Sequence, residues 1–447
     1  MKQALMLMIF LAFLQGCTEG DNPTIIQPIN PSGTWKGHPE LDDIVMYEVN
    51  LRAFSNEGTI NGLIARLDSI KTLGVNMIWV MPIHPVGVLK GINSPYCIKD
   101  YNAIGSEYGM LTDFKRLVDT AHAKGMGIIM DWVANHTSWD HPWTSIPGFH
   151  TVNSSGAIVH PPGTNWTDVA DLNFGNRMMR DSMIAAMKWW ITECKIDGFR
   201  CDYADGVPAD FWSEAIRSLD SSSNKPLLFL AEGTRSDHFS SGFDLIFSWN
   251  YYSTLKSTFS GGNASSIIST HANEYNSVPA GKHRLRFTTN HDESAWDNSP
   301  VIIFKGVQGA LSASVITVFL EGVPLLYSGQ EVGRASKTPF FSRSPINWNE
   351  NSAMLKAYQD MMAVYTKNAV ARKGINEFYS YQNAVCFKKT YQGKEMLVLA
   401  NVRNQQTVVS FPLILQNTVW KDALKGNADT LRTNVMLAPY EYRILMN

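Results

Sequence analysis

The chain has 447 residues, of which 45% are hydrophobic, 11% aromatic and only 17% charged. At about 150 residues per domain, that length has room for roughly three domains, or for one large barrel with additions. The 38 Lys and Arg nearly cancel the 40 Asp and Glu, leaving −2. This speaks against nucleic acid as the main partner, because phosphate binding needs a basic face. Low charge with many aromatics also speaks against wholesale disorder.

The first residues, 1–16, read as a secretory signal. Lys2 is a short positive region, and Leu5 to Leu14 is an apolar run that would rise only about 15 Å as a helix, too short to span a bilayer. Leu14-Gln15-Gly16-Cys17 resembles a bacterial lipoprotein cleavage box, with Cys17 as the lipidated first residue. Thr18 in place of Asp points to the outer membrane. Residues 17–38 are rich in Pro, Asn, Gly and Thr and are expected to be a tether. The expectation is an exported protein whose contact with the membrane is an N-terminal lipid anchor. The other cysteines, Cys97, Cys194, Cys201 and Cys386, show no metal-type CxxC pattern, and burial is their expected role.

From Asp43 onward short apolar strands alternate with amphipathic helices. Strands are expected at 44–50, 76–81, 127–132, 196–202, 227–232, 244–249, 284–290 and 323–327. Helices are expected at 59–73, 111–124, 175–194, 208–219, 265–275, 305–319 and 352–365. Such alternation predicts a parallel sheet, and eight units fit a closed (β/α)8 barrel. The stretch between Trp132 and Gly175, rich in Pro, Gly, Trp and His, is too long for a structureless loop and reads as an excursion above the third strand. After Asn368 the pattern turns to short alternating segments at 384–389, 395–401, 407–411 and 440–445, the mark of an antiparallel β domain.

A barrel's reactive end lies at the C-terminal ends of its strands. There the sequence places Asp131-Trp132-Val133-Ala134-Asn135-His136, Gly198-Phe199-Arg200-Cys201-Asp202, Leu230-Ala231-Glu232 and Thr289-Asn290-His291-Asp292. Asp202, Glu232 and Asp292 would point into one cup, where like charges repel and raise at least one pKa. Any one of them could merely cap the next helix; the coincidence of all the clusters argues for chemistry. Arg200 and Asp202 share a strand face, so the guanidinium can keep Asp202 ionised as a nucleophile. Glu232 follows an apolar run, and desolvation could raise it toward a general acid's range, provided that Arg235 does not intervene.

In this order the clusters resemble the signature regions of the alpha-amylase family of glycoside hydrolases. Ser94-Pro95-Tyr96, Asp100-Tyr101, Ala170-Asp171-Leu172-Asn173 and Gly322-Val323-Pro324-Leu325-Leu326-Tyr327 agree. The resemblance implies a TIM barrel over 39–368, a short inserted domain over 137–174 and a C-terminal antiparallel β-sandwich over 369–447. It implies Asp202 as nucleophile, Glu232 as general acid/base and Asp292 as the carboxylate gripping sugar hydroxyls. Arg200 would orient Asp202. His136 and His291 would hydrogen-bond the sugar and Tyr96 would stack on it, while Asp131 and Asn135 would support the third strand's end. The implied substrate is an α-glucan or maltooligosaccharide with α-1,4 links. The alternatives are neopullulanase, cyclomaltodextrinase, α-1,6-glucosidase or transglycosylase activity, and a non-catalytic glycan-binding barrel.

The sequence departs from the family where many members carry Lys-His after the nucleophile. Here those positions are Asp205 and Gly206, which leaves the usual calcium route incomplete. No cofactor is expected to be required for the chemistry, and Asn135, Asp168 and Asp171 would be the oxygen donors to any calcium. Trp139, Trp143 and Trp166 could stack on pyranose rings or form the insert's own core.

Overall fold

The computed structural model describes residues 35–447; the signal segment and Cys17 lie outside them. Eight parallel strands close into a barrel: β1 Met46–Val49, β2 Met77–Val80, β3 Gly127–Trp132, β4 Gly198–Cys201, β5 Leu228–Ala231, β6 Leu245–Phe247, β7 His283–Arg286 and β8 Val323–Tyr327. Each strand pairs with the next in sequence, and β1 closes the ring by pairing Met46 with Leu325. The fold is therefore the expected TIM barrel.

The alternation of side chains along a strand sorts the core into two layers. Met46, Met77, Trp79, Ile129, Leu228, Leu230, Leu245, Phe247 and Leu285 fill the interior. Tyr47, Ile78, Ile128, Met130, Phe199, Phe229 and Ile246 face outward onto the helices. The same period carries Glu48, Asp131, Arg200, Asp202 and Glu232 onto the interior face, at the strand ends where the apolar filling stops. β4 and β5 approach closely because Gly198 sits at φ +139, and a Cβ there would overlap the Leu228 carbonyl oxygen. These are the strands that carry Asp202 and Glu232.

Several expected elements shift. The helix expected over 59–73 is two shorter ones, Ile60–Ile64 and Leu67–Lys71, with Arg66 between them outside the helical region. The long helix starts at Arg177 because the Asn176 side chain caps it, accepting from Met179 N at 3.1 Å. The sixth strand ends at Phe247, and a helix, Trp249–Phe259, begins where the strand was expected to continue. Beyond Trp249 no element was expected, yet Tyr251, Tyr252, Leu255, Thr258 and Phe259 are buried with helical spacing. β7 stops at Arg286, and residues 287–290 leave the ladder to enter the site. Residues 35–38 are not tether: Trp35 stacks on His122 at 5.0 Å, and its indole donates to Asp197 at 2.6 Å.

Above β3 the chain makes an antiparallel pair, His136–Ser138 with Val169–Asp171, which places His136 opposite Asp171. The C-terminal region forms a six-stranded antiparallel sheet and a two-stranded sheet, Thr407–Ser410 with Asn434–Leu437. Between them lies a core that includes Cys386, Leu399, Val409, Trp420 and Leu437. The opposite face of the large sheet, Val385, Phe387 and Val398, joins the barrel's outer core. All four described cysteines are buried and free. Among the described residues no helix is long and apolar enough to cross a membrane.

Candidate active site

A cleft of about 700 Å³ opens at the C-terminal end of the barrel. Asp202, Glu232, Asp292, Tyr96, His136, His291 and Asp168 line it. Arg200 and Asp131, both fully buried, lie beneath its floor. Asn135 is buried beside His136, and Asp171 stands across the hairpin from it. The structure thus gathers the residues singled out in the sequence at one end of the barrel.

Arg200 organises the floor. Its Nη1 donates to Asp131 Oδ1 and to Asp202 Oδ1, each at 2.8 Å. Its Nη2 lies 2.9 Å from Glu232 Oε2, without the alignment of a hydrogen bond. The guanidinium rests 4.9 Å from the Trp79 ring and 5.6 Å from Phe247, a cation–π seat that holds it in an apolar barrel. Burial would discharge Arg200, but Asp131, Glu232, Tyr96 and Asp202 hold its proton more firmly than usual.

One cation serves too many anions. Burial pushes Asp131 up to about 7, against the pull of Arg200. Burial likewise raises Glu232 to about 7, with Asp202 and Asp292 adding to the rise, and Asp292 to about 6. Asp202 is raised too, chiefly by burial, against which the charge and the hydrogen bond of Arg200 pull toward the ionised form. Of the two carboxyls Glu232 keeps the proton, because Asp202 has the aligned hydrogen bond from Arg200 whereas Glu232 does not. Arg235 does not intervene, since it pairs with Asp237 at 2.9 Å. The backbone N–H of Tyr203 donates to Glu232 Oε2 at 2.8 Å. With Nη2 on the same side, Oε1 is the oxygen left to carry the proton.

A second chain of polar groups fixes His291, Tyr96 and Asp292 at the cleft. His291 Nδ1 lies 2.5 Å from Glu48 Oε1, and its Nε2 lies 2.7 Å from the Tyr96 hydroxyl and 3.3 Å from Asp292 Oδ2. Tyr96 in turn donates to Asp131 Oδ2 at 3.1 Å, which also accepts from the Trp79 indole at 3.0 Å. Tyr96 stacks on His291, with centroids 5.3 Å apart. Burial lowers His136 to about 4, so its ring is neutral at pH 7. The Asn135 amide lies 3.3 Å from Nδ1, which assigns the donor hydrogen to Nε2.

Sequence reasoning passed over Glu48. Its signal was there, a lone carboxylate in the apolar strand Ile44-Val45-Met46-Tyr47-Glu48-Val49, in step with the inward Ile44 and Met46. The insert's tryptophans divide. Trp166 lines the cleft, edge-on to Tyr203 at 4.8 Å. Trp143 packs with Tyr101 and Phe149 as core. Trp139 carries Lys90 over its ring at 3.4 Å. Trp249, Trp296 and Phe340 complete an aromatic lining suited to pyranose faces.

Of the possible calcium donors, Asp168 lines the cleft, and Asn135 and Asp171 lie on either side of the hairpin. Burial raises Asp171, against the pull of Thr151. Asp205, in the place of the family's Lys, is occupied by protein donors. Among the described residues no three His, Cys, Asp or Glu side chains are grouped to hold a metal.

Comparison with known proteins agrees with this geometry. The family model "Alpha amylase, catalytic domain" matches residues 21–150. Alpha-amylase MalA of Haloarcula japonica is 26% identical over 394 residues, spanning 83% of this chain and 57% of the relative, little more than half its length. Alpha-amylase 3 of Dictyoglomus thermophilum is 29% identical over 370 residues, 72% of this chain and 70% of the relative. The crystal structure of an alpha-amylase from Lactobacillus plantarum superposes with a TM-score of 0.82 at 24% identity, covering 91% of this chain and 99% of that one. Over residues 21–150 the chain matches the alpha-amylase catalytic domain, over most of its length it is similar to alpha-amylases, and it shares the fold of a solved one.

Proposed function

We propose that the protein is a retaining hydrolase of α-1,4-linked glucans or maltooligosaccharides. One observation carries this reading: Asp202 and Glu232 sit on the two terminal nitrogens of a single guanidinium, at 2.8 and 2.9 Å. Two carboxyls sharing one guanidinium are held near each other, which favours the retaining arrangement, with carboxyls about 5–5.5 Å apart, over the roughly 6.5–9.5 Å that leaves room for an inverting water. Glu232 Oε1 protonates the glycosidic oxygen while Asp202 attacks the anomeric carbon, giving a covalent glycosyl-enzyme. Water deprotonated by the same Glu232 then releases it with net retention. Asp292 and the Nε2–H of His136 grip hydroxyls of the reacting sugar.

The test is product analysis on amylose, pullulan, cyclodextrin and isomaltose, with proton NMR of the first product. Amylose cleavage releasing the α-anomer is expected. Preference for pullulan, cyclodextrin or isomaltose would move the assignment to a neighbouring activity of the family. Release of the β-anomer would overturn retention, and glycan binding without turnover would overturn catalysis. No step in this mechanism needs a cofactor, and EDTA is expected to leave the melting temperature unchanged. The lipoprotein-like box at Cys17 supports export with a lipid anchor in the outer membrane.

A further inference from the structure

The loops after β4 and β5 are strapped together beside the general acid. Ala204 N donates to the Glu232 carbonyl at 2.8 Å, and Tyr203 N donates to its carboxylate. Tyr203, which presents that N–H, sits at φ +41, a left-handed conformation unfavourable for a bulky residue. Asp205 closes the strap. Its Oδ2 accepts from Thr234 N at 2.9 Å and from the Thr234 hydroxyl at 3.1 Å. Its Oδ1 accepts from Arg235 N at 3.2 Å and lies 2.6 Å from His238 Nε2. Although burial works against it, this set of donors, led by His238, pulls the Asp205 carboxyl down to about 2.

Two further features show that the arrangement is tight and maintained at a cost. A Cβ on Gly233 would overlap both Asp205 Oδ1 and His238 Nε2, so the carboxylate and the imidazole pack directly on the backbone that follows Glu232. His238 is fully buried, and its Nδ1 has no partner. An apolar ring there would avoid that desolvation penalty, so the imidazole is kept for its bond to Asp205.

We propose that Asp205, braced by His238, is the positioning residue for the general acid: it holds the 232–235 loop so that Glu232 Oε1 faces the scissile oxygen. The inference rests on Glu232 being the acid. It assigns a role to the position where this chain departs from the family's Lys.

The test compares two substrates of the full-length enzyme. Maltotetraose needs its leaving oxygen protonated, whereas α-maltosyl fluoride has a leaving group that needs little help. For Asp205→Ala, kcat/KM should fall about 30-fold or more on maltotetraose yet stay within about threefold on the fluoride, since a misplaced acid costs only the step that uses it. Equal losses on both substrates, or none on maltotetraose, would overturn the proposal. If Asp205→Ala does not fold, His238→Gln decides by the same split, with a smaller loss expected. A wild-type enzyme that hydrolysed neither substrate would instead remove the hydrolase reading beneath it.

Discussion

The two ends of β4 solve opposite problems with the same residue type. Just before its N-terminal end, Asp197 is fully buried and lies 2.7 Å from His122 Nε2, with Lys225 and the Trp35 indole on its other oxygen and Ile128 N donating at 2.7 Å. Burial would raise it, but these partners hold it below the ordinary carboxylate range. At the C-terminal end, Arg200 faces Asp131, Asp202 and Glu232 together, and all three are raised by burial. A matched buried charge supports the fold, whereas an under-neutralised cluster costs stability and leaves a proton ready to move. The barrel keeps its poorly balanced electrostatics at the end where substrate enters.

The sharpest way to break the comparison is one charge removed from each end. Asp202→Asn should lower kcat/KM by on the order of 10³-fold or more, as loss of a nucleophile does, with no fall in melting temperature. An active Asp202→Asn enzyme would sink the assignment. Asp197→Ala should do the reverse. It leaves His122 and Lys225 facing an emptied site, a loss of about 3–5 kcal/mol, while kcat/KM at 25 °C stays within about twofold. A large kinetic effect from Asp197 would show that the two ends are not separable.

The smallest effect is a pH dependence of opposite sign at the two ends. Glu232 in the folded protein keeps its proton to about 7, whereas the unfolded chain gives it up near 4.5. Stability from this group therefore falls as pH rises from about 4.5 to about 7. Glu232→Gln should melt about 2 °C higher than wild type at pH 8 and equally at pH 4. Asp197, held low, stabilises above its ordinary 3.8 and loses that contribution as pH falls through its folded value. In the same direction as the melting curve, kcat/KM should fall as pH rises past about 7, when free enzyme loses the acid's proton.

Much of this was legible because a strand repeats every two residues. Once the eight strands were read from alternation, Asp131, Arg200, Asp202 and Glu232 had to share the inner face. What failed was local: Trp249–Phe259 hides a helical face in strand-forming residues, and the strands Thr418–Asp422, Ala428–Leu431 and Asn434–Leu437 bury few side chains, so their pattern was too weak to read.

The sequence by itself determined the barrel, its reactive end and the carboxylates on it, because those follow from period and order along the chain. Only the tertiary structure decided which group holds which. Glu48 reaches His291 across 243 residues, Asp205 reaches His238 across 33, and one guanidinium spans Asp131, Asp202 and Glu232 from three strands. Such contacts depend on barrel closure and on burial, which sets how strongly each charge is felt, and neither is written in the spacing of residues along a strand.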